Sequence, residues 1–345
     1  MRDGVRHARP VRIGATFEPV AAAWYRGVYP LEAMARRGHE IVWPQNDTGH
    51  PVVRELGSCD AVFVYRRHEQ ALRDILAGLA ARGVGIVWDN DDDLSAIPKD
   101  SPWFKEVGAL RGQKRFSDTV RLAKLAHVVT VTTEGVGARY AGAGVQEVRV
   151  IDNHLQHKTS RRRRKHDGIV VGWIAGTEHR VDARLLRLGE VLRALQEVHP
   201  ELRVECVGVD LQLPERYRHR AGLHFERLPD VMTTFDIGLA PLADVPFNRA
   251  RSSIKVKEYA ASQVPWLASP RAAYQGLGER QGGRLVDDEH WFTALDALIR
   301  DGKARKRLSR AGKSWAKTQT VEVVADRWEA AFVEASTRAR DAARR

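Results

Sequence analysis

The sequence predicts an α/β protein built from two Rossmann-like domains facing each other across a cleft, with a C-terminal helix. Three observations predict it. The chain has 345 residues, 43% of them apolar, which suits two domains of about 150 residues each and is too apolar for a disordered chain. Apolar runs of strand length, such as AVFVY and IVVGWI, alternate with helical stretches, the pattern of parallel strands covered on both faces. The alternation stops at a polar, basic joint over Asn153–His166 and then starts again.

Val11–Phe17 reads as the first strand, Ala21–Arg37 as a helix closed by Gly38, and Glu40–Trp43 as the next strand. Ala61–Tyr65 and Val84–Trp88 are apolar strands flanking a helix around Gln70–Arg82. A helix over Asp118–Ala126 leads into the strand Val128–Val131, and Val148–Ile151 closes the first set. The second set places strands at Ile169–Ile174, Arg203–Val207, Leu223–Phe225, Ile237–Ala240, Pro265–Ala268 and Arg284–Val286. From Ala316 to Arg345 the pattern is one long helix without glycine or proline. These readings divide the chain into an N-terminal domain (1–155), a basic linker (156–168), a C-terminal domain (169–315) and a basic helix (316–345).

Several function classes are argued against at once. The opening MRDGVRHARP has no apolar stretch of the kind a secretory signal needs. No run approaches the roughly 18 apolar residues of a membrane span. Cys59 and Cys206 are the only cysteines and lie far apart, too few for a disulfide framework or a cysteine-based metal site, and a cytoplasmic home is expected. No GxxxxGK[ST], HExxH or GxSxG occurs, which counts against a P-loop NTPase, a zincin or a serine hydrolase. Gly14 stands alone without a GxGxxG, so dinucleotide binding has no support.

The formal charge of +12 suggests nucleic acid, but its distribution weakens that reading. Residues 158–165 carry six basic and no acidic residues, and residues 301–345 carry twelve basic against six acidic, so the rest of the chain sums to zero. These two segments permit contact with nucleic acid or an anionic membrane surface; a solvated linker and helix face explain them equally simply.

In open parallel sheets, ligands bind beyond the carboxyl ends of the strands. The richest such loop lies in Phe235–Ser269, FDIGLAPLADVPFNRARSSIKVKEYAASQVPWLAS. A strand empties into a loop with Arg249 and Arg251, and a helix begins near Ser252 and Ser253 and carries Lys255 and Glu258. Free N–H groups at a helix start, flanked by cations, suit a diphosphate. Glu258, nearly two turns deeper, is placed to accept hydrogen bonds from ribose hydroxyls.

This segment resembles the donor-binding signature of the family-four retaining glycosyltransferases, with its DIGLxPL strand, KSxxKxxEYAA loop and PVVAS-like strand. Here those positions read Asp236–Leu242, Arg251–Ala261 and Pro265–Ser269. GWIAGT (Gly172–Thr177) resembles the family's GWIGS turn. Tyr25-Arg26 with Pro30-Leu31 and Gly38-His39-Glu40 resembles a subgroup's YYRxxxPLxxLxxxGHEV, Asp89–Leu94 its DxDDDL, and Val150–Leu155 the link ending its first domain. The resemblance spans most of residues 11–290. It implies a GT-B fold and transfer of a sugar, with retention, from a nucleotide diphosphate sugar to an acceptor hydroxyl. The donor would be lined by Gly176, Thr177, Arg249, Arg251, Ser252, Ser253, Lys255 and Glu258. One departure is present: where many relatives have a first glutamate, contacting the sugar, this chain has Ala250.

The acidic cluster Asp89, Asp91, Asp92 and Asp93 follows the strand VGIVW. Clustered carboxylates bind a divalent cation or share a proton. The doubled domain pattern argues against the metal-dependent transferase fold, so no metal or other cofactor is expected, with the nucleotide sugar as co-substrate. Asp91 and Asp92 are the candidates for catalysis. Tyr25, Arg26, Arg66, His68 and Asp89 are the candidates for the acceptor side. The acceptor is open: an envelope glycan, a lipid-linked sugar, a modified DNA base, a virion protein or a small natural product. Two rival readings are a non-catalytic nucleic-acid-binding protein and a nucleotide-sugar epimerase on the same fold.

Overall fold

A computed structural model describes residues 9–43, 53–157 and 163–345. The run at 158–162, with half of the basic linker's six cationic residues, lies outside the described residues. The chain divides into two compact units: one within Met1–Asp93, Gln113–His157 and Val321–Arg345, the other within Leu94–Gly112 and Lys158–Thr320.

The first unit holds a parallel sheet of β1 (Arg12–Phe17), β2 (Glu40–Val42), β3 (Ala61–Tyr65), β4 (Gly85–Asn90), β5 (Val128–Val131) and β6 (Val148–Val150), in the order β2-β1-β3-β4-β5-β6. β3 and β4 are buried along their whole length, as strands covered on both faces are; β3 is apolar throughout, while β4 ends in the buried polar pair Asp89-Asn90. The second unit repeats the plan with β7 (Ile169–Ala175), β8 (Leu202–Gly208), β9 (Tyr217–Arg220), β10 (Ile237–Ala240), β11 (Trp266–Ala268) and β12 (Gly283–Leu285), ordered β12-β11-β10-β7-β8-β9 and again parallel. Val171 and Trp173 of β7 enter one apolar core with Leu192, Trp291 and Leu298, while Val170 and Ile174 enter the other with Phe235, Tyr259 and Trp266. The strand order reverses between β1 and β3 in one sheet and between β7 and β10 in the other. Those reversals are where side chains open a crevice beyond the strand ends.

Four expected elements differ. The strand expected at Leu223–Phe225 is instead β9 at Tyr217–Arg220, and Phe225–Arg227 is a short 3₁₀ turn. β9 is an edge strand with Arg218 and His219 exposed, so it lacks an apolar period, whereas Leu223 packs on the core from a loop. The helix expected over Ala21–Arg37 opens as a π-helical turn, Trp24–Val28, and becomes α-helical at Tyr29–Arg36 with Pro30 in its first turn. Proline has no N–H to give to the preceding turn. The helix expected over Asp118–Ala126 spans Ala109–Ala123.

The tail is not one helix either. A helix ends at Ala316, a 3₁₀ turn covers Val321–Val324, and the helix Ala325–Ala343 lies on the first unit's sheet. Trp328 and Phe332 pack edge-on against Phe63 of β3. Gly85 of β4 admits this helix closely: a methyl group there would come within 2.5 Å of the Ser336 backbone nitrogen. The tail's ionic groups are used in the same packing. Asp326 and Glu329 pair with Arg37, Glu334 with Arg149, and Arg338 with Glu147. The tail's acids are therefore matched by arginines elsewhere in the first unit, and of its own basic residues Arg338 joins the same packing.

Candidate functional site

In the second unit the turn after β7 and the loop after β10 meet at the strand-order reversal. Asp182, fully buried, ties them together. Its Oδ1 accepts from the Ala243 backbone N–H at 2.7 Å and from Asn248 Nδ2 at 2.6 Å, and Oδ2 lies 2.6 Å from His179 Nδ1. Ser269, also fully buried, accepts from the Leu242 N–H at 2.9 Å. Tyr259 accepts from the Ile174 N–H and donates to the Leu239 carbonyl, clamping β7 to β10. Burial holds its phenol well above the usual range, so it stays a donor.

Arg251 is fixed on this frame. Its guanidinium lies 4.8 Å over the Phe247 ring, its Nη2 is 2.9 Å from Glu178 Oε1, and the same nitrogen is 2.7 Å from His179 Nε2. Arginine only donates, so His179 accepts at Nε2 and carries its proton on Nδ1, the nitrogen facing Asp182. Gly176 and Thr177 follow β7 directly, with Gly176 exposed. The helix Ile254–Ala261 is preceded by Ser253, whose side chain makes no capping hydrogen bond. Ser252 lies partly exposed beside it. Lys255 Nζ is 2.8 Å from Glu258 Oε2, and Glu258 is buried. Arg249 points outward and lies 3.6 Å from Asp244, both largely exposed, so it stands apart from the Arg251 cluster.

In the first unit a second cluster caps the reversal between β1 and β3. Arg66, just past β3, is buried and sits in a left-handed conformation with φ 54°, a geometry non-glycine residues adopt at a cost and mostly at functional or tightly determined positions. Its Nη2 lies 2.9 Å from Asp91 Oδ1 and 3.0 Å from Asp92 Oδ2, and its Nε faces Glu18 at 3.7 Å. Tyr65 donates to Asp91 at 2.8 Å. Burial, and then repulsion from Asp92 against the pull of Arg66, moves the Asp91 carboxyl up to about 6. Asp93 pairs with Arg139 at 3.0 Å. His68 is half-buried with its Nδ1 lacking a hydrogen-bond partner, and desolvation followed by the nearby Arg115 lowers its pKa.

Arg26 and Asp89, expected on the acceptor side, lie deeper. Both side chains are fully buried, and they form a two-pronged ion pair at 2.9 and 2.5 Å. Thr130 donates to Asp89, Arg26 also reaches Asn153 Oδ1 and the Ile151 carbonyl, and its guanidinium lies over Trp328. They brace the sheet beneath the Asp91 cluster and are sealed from any ligand. Tyr25 is buried edge-on against Tyr29. Among the described residues, no group of three or more His, Cys, Asp or Glu is arranged to hold a metal ion. Cys59 and Cys206 are buried, and burial raises their thiols to about 11 and about 12; both are inert packing.

Sequence reasoning missed Asp182, His179, Asn248, Glu178, Glu18 and Tyr65. A lone histidine, aspartate or asparagine on a short helix or turn carries no signal of its own. The one available hint was position: Glu178, His179 and Asp182 directly follow the GWIAGT turn.

No family model matches the chain, and no curated protein matches it. Solved structures do. HepE of Anabaena, solved in complex with UDP-glucose, superposes with a TM-score of 0.62 at 13% identity, covering 94% of this chain and 99% of that one. Sucrose-phosphate synthase of Thermosynechococcus elongatus gives 0.63 at 13%, covering 92% and 96%. A putative UDP-N-acetylglucosamine 2-epimerase of Listeria monocytogenes gives 0.57 at 11%, covering 94% and 96%. At such identities the likeness establishes the fold: two parallel sheets wrapped by helices, in a GT-B-like architecture with a C-terminal helix. No helix among the described residues is long and apolar enough to cross a membrane.

Proposed function

We propose that this protein is a glycosyltransferase that moves a sugar from a nucleotide diphosphate sugar, with UDP as the first nucleotide to try, to an acceptor hydroxyl. One observation carries the reading. The Arg251 cluster, the glycine turn after β7 and the helix bearing Lys255 and Glu258 converge at the β7/β10 reversal of the second unit, where open parallel sheets bind nucleotides. The likeness to Anabaena HepE, a protein solved with UDP-glucose, supports it.

In this reading Gly176, Thr177, Ser252 and Ser253 offer backbone and hydroxyl groups to the diphosphate, and Arg251 and Lys255 offer charge. Glu258 takes the ribose. Stabilising diphosphate charge as the glycosidic C–O bond breaks lowers the barrier, because these groups are already oriented and no solvent must reorganise. In the first unit Asp91 and Asp92, with Arg66 and His68, receive the acceptor, and a carboxyl poised near 6 is suited to take a hydroxyl proton at neutral pH. Arg26 and Asp89 hold that cluster from below. Retention of configuration, a metal-independent reaction and an anionic acceptor belong to the proposal. An epimerase remains the second reading, favoured by the likeness to the Listeria protein. It would turn over donor without acceptor and invert a ring carbon.

The test is calorimetric titration of UDP- and GDP-sugars, followed by assays of slow donor hydrolysis and transfer. Glu258→Ala should weaken donor binding at least tenfold, whereas Asp92→Ala should spare binding and slow transfer. Equal donor affinity in wild type and Glu258→Ala would discredit the ribose assignment, and absence of nucleotide-sugar binding the whole reading.

A further inference from the structure

The turn after β7 already holds an anion. The Glu178 carboxylate lies against Gly176 so closely that a methyl group built on that glycine would come within 2.1 Å of Oε2. Gly176 has an ordinary extended backbone, so it is the space above its Cα, rather than a strained φ, that a side chain would fill. On the other side the carboxylate meets Arg251 Nη2 at 2.9 Å. Burial pushes the Glu178 carboxyl up most strongly, but Arg251, His179 and a backbone N–H together hold the group below the usual carboxylate range, so the resident group is ionised.

The two partners differ in how firmly they are held. Arg251 is stacked on Phe247 and donates to His179, which is braced by the buried Asp182, itself bound by Ala243 and Asn248. The cation therefore keeps its place without Glu178. Beyond Arg251 and the flank of His179, Glu178 has no side-chain partner among the described residues, and it rides on a 3₁₀ turn of three residues. A fixed cation, a glycine face with room only for a small anion and a carboxylate on a three-residue turn describe an anion pocket filled by its own side chain.

We propose that Glu178 is a placeholder for phosphate: it occupies the anion position between Gly176 and Arg251, and a diphosphate binds there by displacing it. Glu178 thereby sets the concentration at which a donor is admitted and keeps Arg251 neutralised in the empty protein. This deepens the glycosyltransferase reading and rests on it for the identity of the donor, while the anion pocket itself can be tested alone.

The experiment titrates inorganic pyrophosphate, then UDP, into full-length wild type, Glu178→Gln, Glu178→Ala and Arg251→Gln, with melting curves to check folding. Removing the competing charged contact should tighten pyrophosphate binding roughly tenfold in both Glu178 variants, and Arg251→Gln should lose it. Unchanged or weaker pyrophosphate binding in both Glu178 variants overturns the proposal. If pyrophosphate tightens but UDP binds no better than pyrophosphate, the placeholder stands and the nucleotide reading falls. If UDP binds wild type and both Glu178 variants alike, the placeholder falls and the nucleotide reading stands.

Discussion

Replacing Arg26 by methionine isolates the buried ion pair under the first unit's cluster. Methionine keeps an unbranched apolar stem against Trp328 while removing the guanidinium. What remains is the Asp89 carboxylate, fully buried, with Thr130 as its remaining side-chain donor. Removing one partner of such a pair costs about 3–5 kcal/mol, because the surviving charge is left uncompensated. The Ile151 carbonyl and Asn153 Oδ1 also lose the Arg26 donor, at about 1 kcal/mol each. A loss of about 5–7 kcal/mol is therefore expected, a large fraction of the 5–15 kcal/mol typical of a folded domain. Adding Asp89→Asn removes the stranded charge and should restore at least ~2 kcal/mol relative to the single variant, a coupling that a double-mutant cycle reads directly. The assay is urea unfolding followed by circular dichroism and tryptophan fluorescence. A single-variant loss under about 1 kcal/mol, or additive losses in the double variant, would refute the view that this pair is the sheet's sealed brace.

Two further outcomes follow from the same geometry. The Asp91 carboxyl, raised to about 6, holds its proton longer in the native state than in the unfolded one. Its contribution to stability is therefore full below the ordinary carboxylate range and is lost as pH rises through about 6; Asp91→Asn should flatten that slope in melting curves taken between pH 4 and 7, roughly. Gly208 at the end of β8 has φ 85°, and a methyl group there would lie 2.0 Å from the Ala175 carbonyl oxygen. Gly208→Ala should lower the melting temperature by several degrees, about 2–4 °C for each kcal/mol lost, and an unchanged melting curve would contradict the packing of the end of β8 against the end of β7.

Much of the local structure around the candidate site was legible because its signals are local. The helix bearing Lys255 and Glu258 follows a strand and a basic loop, and the structure puts it at Ile254–Ala261, after β10 (Ile237–Ala240), as the order of residues implies. The pairings were not legible. Arg26 and Asp89 sit 63 positions apart in the chain and read as two polar residues beside strands, so sequence alone points each of them to a ligand rather than to the other. Arg249 and Arg251 look interchangeable in the loop, yet one faces solvent and the other is locked by Phe247 and His179.

Alternating apolar runs determined the parallel sheets, because strands covered on both faces need unbroken hydrophobicity and their crossover helices need one apolar face. That requirement is met residue by residue along the chain, so sequence alone carries it. What only the tertiary structure decided is which charges neutralise which. The tail's acids pair with Arg37 and Arg149, Glu178 fills the place beside Arg251, and β9 forms at an exposed edge. Electrostatic partners are set by distance in space, and folding brings together side chains that no period or spacing in the chain connects.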